Sequence, residues 1–250
     1  MSNFNNLLHR NIKIGLEFRG LIQVARNTPT NLGYGNTYHS IKAMKNWVGQ
    51  HYTQCNIVAP RLKRTTLKDT VGAVYSFLYD HIQYKQDKAL QQIRSSANSW
   101  LNRKSGIDCK SYSVFASSIL MCLNIKHYIR QIKQPLYRAN RFTHVYVVVP
   151  YNQTTGTLNE GYYVIDATVK NNKEPLFTVK DDTYMDKLPH VGLNGSIKRA
   201  TRAKRKPPTT KRKTVSAKKR KTVPRKKKTG LAGAVLMGLG AIVGLSQLTK

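Results

Sequence analysis

Between Leu123 and His127 the spacing of apolar residues changes from helical to alternating, and no other property of the chain restricts its fold as much. Upstream, Tyr112, Ala116, Ile119, Leu120 and Leu123 recur at steps of three and four, which places them on one face of a helix. Downstream, residues 127–133, 142–149 and 161–169 read as strands of period two, and the polar stretch 150–159 connects the last two. A helix followed by consecutive strands predicts an α+β domain, with the helix laid across an antiparallel sheet.

More helix precedes that boundary. Thr66 and Asp69 resemble a capping box, and Leu67, Val71, Val74, Tyr75, Leu78 and Ile82 then form one apolar stripe ending near Tyr84, as core scaffold would. Tyr38, Ile41, Met44, Trp47 and Val48 show helical spacing after the loop 31–36, in a region whose role the sequence leaves unread. The expected organisation is an N-terminal helical extension over residues 1–60, a main domain over 61–195, a basic linker over 196–229 and a glycine-rich apolar segment over 230–250.

Three residues in this frame have chemistry of their own. The turn Lys104-Ser105-Gly106 predicts that a helix opens at or near Cys109. The positive end of a helix favours an anion, and its unpaired amides can donate to an oxyanion formed at an attacked carbonyl. On the strands, Phe142, His144, Tyr146 and Val148 share one face, as do Tyr162, Val164, Asp166 and Thr168. If these strands are antiparallel neighbours, His144 and Asp166 face the same side, where the Cys109 helix would pack. Singly, each has an ordinary structural use: a small buried thiol, a strand histidine bonded to a carbonyl, a turn aspartate. Together, two charge-capable groups stand where strands normally bury apolar ones, and each supplies the partner the other needs. A thiol nucleophile requires such a base, and the base requires a group that fixes its tautomer.

These segments resemble the transglutaminase-like cysteine peptidase superfamily, a thiol-hydrolase fold. The resemblance rests on Gly106 with Cys109, on His144-Val145-Tyr146-Val147, on Ile165-Asp166-Ala167-Thr168 and on Ile82-Gln83-Tyr84 at the end of the preceding helix. It covers residues 67–169, and the separations of 35 residues from Cys109 to His144 and 22 from His144 to Asp166 suit it. It implies that Cys109 attacks an acyl carbon to give a thioester, that His144 carries the proton, and that Asp166 orients the imidazole. The implied substrate is a peptide or amide, resolved by water or by an amine, and no cofactor is implied. Lys110 departs from the acidic or small residue that many relatives place after the cysteine, and offers a cation beside the sulfur. Gln91, Gln92 and Trp100 are available as a second oxyanion donor.

Charge and cysteine usage bound the rest. Residues 196–228 hold 17 Lys or Arg and no acid. Outside that run and Lys250, 25 basic residues still face 11 acidic ones. The run is expected to be disordered when unbound, because it cannot bury enough apolar surface to offset chain entropy. Lys204, Arg205, Lys206, Lys211, Arg212, Lys213, Lys218, Lys219, Arg220, Lys221, Arg225, Lys226, Lys227 and Lys228 are its candidate contacts to nucleic acid or to an anionic membrane. No aromatic residue is interleaved, so phosphate contact rather than base stacking is the expected mode. Lys204-Arg205-Lys206 and Lys218-Lys219-Arg220-Lys221 also match nuclear localisation signals, as any lysine-rich stretch does.

Residues 231–245 are all apolar or glycine, with Gly240 and Gly244 spaced for close helix contact. As a helix they reach roughly 22 Å, against a hydrocarbon core of roughly 30 Å. They read as a marginal membrane span or as a contact buried in an assembly such as a virion, and the combination resembles proteins of bacteriophages and mobile elements. A non-catalytic virion or membrane-associated protein is thus the alternative to a thiol hydrolase. Cys55, Cys109 and Cys122 have neither disulfide-framework nor zinc spacing, which favours a reducing cytoplasm, and residues 1–10 lack the pattern of a secretory signal.

Overall fold

The computed structural model of the chain describes residues 8–24, 28–33, 35–87 and 90–185, and these form an α+β fold with an antiparallel sheet. After a short 3-10 turn at Leu16–Phe18 come α1 (Thr37–His51), a second 3-10 turn (Tyr52–Cys55), α2 (Val58–Leu62), α3 (Leu67–His81), α4 (Ser96–Leu101) and α5 (Cys109–Cys122). The strands β1 (His127–Lys133), β2 (His144–Pro150), β3 (Tyr162–Ile165) and β4 (Val179–Met185) follow. The basic run and the apolar segment, with the nucleic-acid and membrane contacts expected of them, lie outside the described residues.

The helix starts are local events. Asn36 caps α1 in a reciprocal box with His39. At α3, Thr66 Oγ1 accepts from the Asp69 amide at 3.0 Å and donates to the Asp69 carboxylate at 2.7 Å, so the box closes on the hydroxyl. The α3 helix stops at His81, short of Tyr84, because Gln83 and Lys85 turn their amides to Arg103 and Ile107 and draw the chain out into a bridge between Tyr84 and Ile107.

The α5 helix is the centre of the fold. Every residue from Lys110 to Met121 is buried, so the single apolar face read from the sequence accounts for only about a third of its burial. Helices α1, α3 and α4 pack around it, and β1 and β2 lie against it from the sheet. Its small polar residues permit this without orphaned hydroxyls: Ser113 Oγ donates to the Cys109 carbonyl and Ser118 Oγ to that of Val114. The segment of unread role joins the same core, with Ile22, Met44, Val48 and Cys55 all buried in it.

The sheet order is β3-β2-β1-β4, antiparallel throughout. Ile129, Val145, Val147, Val149 and Ile165 belong to the main core with α5. Ile132, Tyr146 and Val148 form a second cluster on the far face with Tyr162, Val164 and Phe177. The chain between β3 and β4 crosses this face, bringing Glu174 to Arg130 at 2.5 Å and to the hydroxyls of Tyr146 and Tyr162 at 2.8 and 2.7 Å. Strand β4 is absent from the sequence reading, because Val-Lys-Asp-Asp-Thr-Tyr-Met has no apolar alternation. Its affinity for β1 lies in cross-strand partners: Asp182 takes the fully buried Arg130 at 2.6 and 2.8 Å, and Asp181 takes Gln131 at 2.7 Å.

Candidate active site

Cys109 is the first residue of α5, and the turn before it is built for that purpose. Gly106 has φ of +94°, and a Cβ there would lie 2.5 Å from the Lys85 side chain. Glycine is therefore required both by conformation and by space. Asp108 is the N-cap, its Oδ1 accepting from the Ser111 amide at 3.2 Å. Its other oxygen accepts from Lys110 Nζ, which also bonds Gln91 Oε1 at 2.7 Å and Asp87 Oδ2 at 3.3 Å. Burial pushes Lys110 below the ordinary lysine value, opposed by Asp87 and reinforced by the nearby Arg94. The expected cation beside the sulfur is thus committed to two carboxylates, and its electrostatic effect is to offset the charge that the cap brings to the helix start.

His144 is the first residue of β2, and its Nε2 lies 2.7 Å from Asp166 Oδ2. Asp166 follows directly after β3, is 1 % exposed, and accepts at Oδ1 from the Thr168 hydroxyl at 2.6 Å and the Thr168 amide at 3.2 Å. Burial alone would keep the imidazole neutral, but the Asp166 charge and hydrogen bond, with Cys109 nearby, raise His144 well above its usual value of 6.5. Burial likewise works against the Asp166 carboxylate, and His144 and Thr168 hold it below the usual range. With Nε2 occupied by Asp166, Nδ1 is the ring nitrogen left for the sulfur.

His144 and Asp166 meet for a different reason than strand alternation implies. His144 is paired with Ile132, whose side chain lies in the far-face cluster, whereas Val145, Val147 and Val149 face α5. By alternation His144 would point away from the helix layer, whereas Asp166, beyond the end of β3, borders the same recess as Tyr112, Ser113 and Ala116 of α5. Both stand at strand ends, His144 in the last pair of the β1–β2 ladder and Asp166 just past β3, and at a ladder's end a side chain is less confined to one face.

Two further residues belong to the site. Tyr84 is buried, and burial, with Cys109 nearby, pushes its phenol up. Its ring lies 6.3 Å from that of Tyr112, one turn along α5 from the cysteine. Of the donor residues expected from the sequence, the contacts seen are on other atoms or faces. Gln91 and Gln92 accept from Lys110 and Arg94 through their side-chain oxygens, and Trp100 stacks on Phe77 at 5.6 Å. Ile82-Gln83-Tyr84 was the available signal for Tyr84, though it pointed to a helix end rather than to a hydroxyl.

Arg10 has no sequence signal, being one cation among many. Its guanidinium lies 3.9 Å over the Tyr79 ring and donates to Tyr112 Oη at 2.7 Å, the Ala167 carbonyl at 2.9 Å and the Ile82 carbonyl at 3.0 Å. It ties the turn that carries Asp166 to α3 and α5.

The family model described as "Transglutaminase-like domain" matches residues 53–184, a stretch that contains Tyr84, Cys109, His144 and Asp166. Among solved structures, Legionella pneumophila LapG and its EGTA-treated form are similar, each at 13% identity over 53% of this chain and 72% of theirs, with a TM-score of 0.36. No curated protein matches the chain. Because the family model spans more than half of its length, the chain belongs to the transglutaminase-like domain family.

Proposed function

We propose that the protein is a thiol hydrolase, a cysteine peptidase or amidase, acting through Cys109, His144 and Asp166. The observation that carries this reading is the 2.7 Å contact of His144 with a buried Asp166, on an imidazole that feels the cysteine opening α5. In the proposed cycle His144 holds the thiol proton at Nδ1 while Cys109 Sγ attacks the amide carbon. The oxyanion accepts from the Cys109 amide and the Tyr84 hydroxyl. Collapse breaks the C–N bond, the leaving amine takes the proton from His144, and a thioester remains. Water then attacks the thioester, giving its proton to His144, and the acid and free thiol are released. An amine in place of water would make the same site an acyltransferase. For the cationic tail we propose binding to nucleic acid or anionic lipid through counterion release, on charge density alone.

Iodoacetamide labelling with mass-spectrometric readout at each cysteine tests the enzyme reading. Burial pushes the Cys55 thiol up, and Cys122 bonds the Tyr52 carbonyl at 3.1 Å and Asn56 Oδ1 at 3.3 Å, so both are internal references. Cys109 is expected to label at least about tenfold faster than either near neutral pH. Equal rates, or amidase activity that survives Cys109→Ala, would sink the proposal.

A further inference from the structure

The approaches to Cys109 carry charge of one sign. Residues 85–87 and 90–94 precede α4, residues 102–108 lead into α5, the 134–143 hairpin leads into His144, and residues 167–178 leave Asp166. Exposed cations stand on each: Lys85 and Lys104, Arg138 and Arg141, Lys170 and Lys173. The acids in or beside these stretches are already engaged. Asp87 and Asp108 hold Lys110, Asp166 holds His144, and Glu174 takes Arg130 and two tyrosines. At the opposite end of the sheet the loops are balanced, with Lys126 bonded to the Thr154 carbonyl and Glu160 bonded to Asn152 and Thr155. The stretches that lead to the three side chains thus carry exposed cations and no exposed free acid, although Arg61, Lys63, Arg64 and Lys68 make a second exposed basic stretch beside α3.

We propose that this rim selects a polypeptide substrate with acidic residues flanking the scissile amide, an inference that rests on the thiol-hydrolase reading. Long-range attraction to a rim of one sign raises both encounter rate and local concentration of an opposite charge. A polypeptide fits better than a nucleic acid for two reasons. The chemistry at Cys109 needs an acyl carbon, which a phosphodiester chain does not offer. In addition, Leu136 and Tyr137 beside Arg138 are 97% and 48% exposed, which suits a chain with apolar as well as acidic side chains.

The test uses the full-length protein and peptides of equal length ending in a chloromethyl ketone, flanked by Glu, Gln or Lys. Sγ displaces chloride from these reagents, and the rate of thioether formation at Cys109 is divided by its iodoacetamide rate in the same sample. The Glu peptide is expected to react about tenfold faster than the Gln peptide at low salt, with the Lys peptide slowest. The gap should close to within about twofold at high salt, and should also shrink in Arg138→Gln/Arg141→Gln and Lys170→Gln/Lys173→Gln proteins. Equal rates for Glu and Gln peptides overturn the proposal. So does a gap that survives both double substitutions, which would assign it to the basic tail. Protection of Cys109 from iodoacetamide by duplex DNA, lost in the rim variants, overturns it in favour of a nucleic-acid surface. Failure of the underlying reading looks different: Cys109 then labels no faster than Cys122 with iodoacetamide itself.

Discussion

At the scale of single residues, the charge on Asp166 and the hydroxyl on Tyr84 are the groups with the most direct consequences. Asp166→Asn keeps the shape of the side chain and removes the charge that holds His144 protonated. Activity is expected to fall by about 10²-fold or more. The alkaline limb of the pH–rate profile should move down toward the ordinary imidazole value. An alkaline limb that stays in place would remove Asp166 from the mechanism. The same coupling has a sign in stability. A histidine raised on folding contributes stability that is present below pH 6.5 and lost as pH rises through its folded value, so the His144 contribution fades on the alkaline side. Tyr84→Phe leaves the ring in place and removes one proposed oxyanion donor, so kcat is expected to drop about 10²-fold with KM little changed. A proportional rise in KM instead would make the phenol a substrate contact.

At the scale of elements, the start of α5 couples a cap to a buried ion cluster. Asp108→Ala removes the acceptor for the Ser111 amide and leaves the Lys110 ammonium with Asp87 as its remaining carboxylate. Losing one partner of a buried pair together with a cap is expected to cost about 3 kcal/mol, and Asp108→Asn, which keeps the cap, about 1 kcal/mol less. Denaturant midpoints of the two variants measure both values, and equal losses would show that the cap contributes nothing. Caps of this kind were legible in advance because they join residues three apart, as at Thr66 and Asp69. Strand β4 was not, because Asp182 and Asp181 become strand residues only once Arg130 and Gln131 are opposite them, about fifty positions away.

At the scale of the whole molecule, the contact between sheet and helix layer contains its own acid sensitivity. His127 opens β1 and is fully buried, its Nε2 accepting from the Ser117 hydroxyl at 2.6 Å and its Nδ1 donating to the Ile125 carbonyl at 2.8 Å. Burial pushes it down to about 4. Below pH 6.5 the unfolded chain takes up a proton that the folded one refuses until about 4, so stability is lost as pH falls across that window. Between pH 7 and pH 4.5 the loss from this residue is expected to be about 2 to 3 kcal/mol. Urea unfolding of the native protein and of His127→Gln at the two pH values isolates it. An equal pH dependence in both would assign the loss to other groups.

What the sequence determined by itself is what depends on neighbours along the chain: the capped α3, the start of α5 at Cys109 after Gly106, the first three strands and the α+β class. Apolar spacing and turn chemistry act over a few residues, so they can be read without knowing what packs where. Tertiary structure decided how those pieces meet. His144 and Asp166, 22 residues apart, touch because two strands end at the same place, and not because alternation turns both toward α5. Arg10 reaches the Ala167 carbonyl across 157 residues, and Lys110 reaches Asp87 across 23. Contacts of that kind are set by burial and by satisfying polar groups in the packed interior, where the deciding neighbour is distant in sequence.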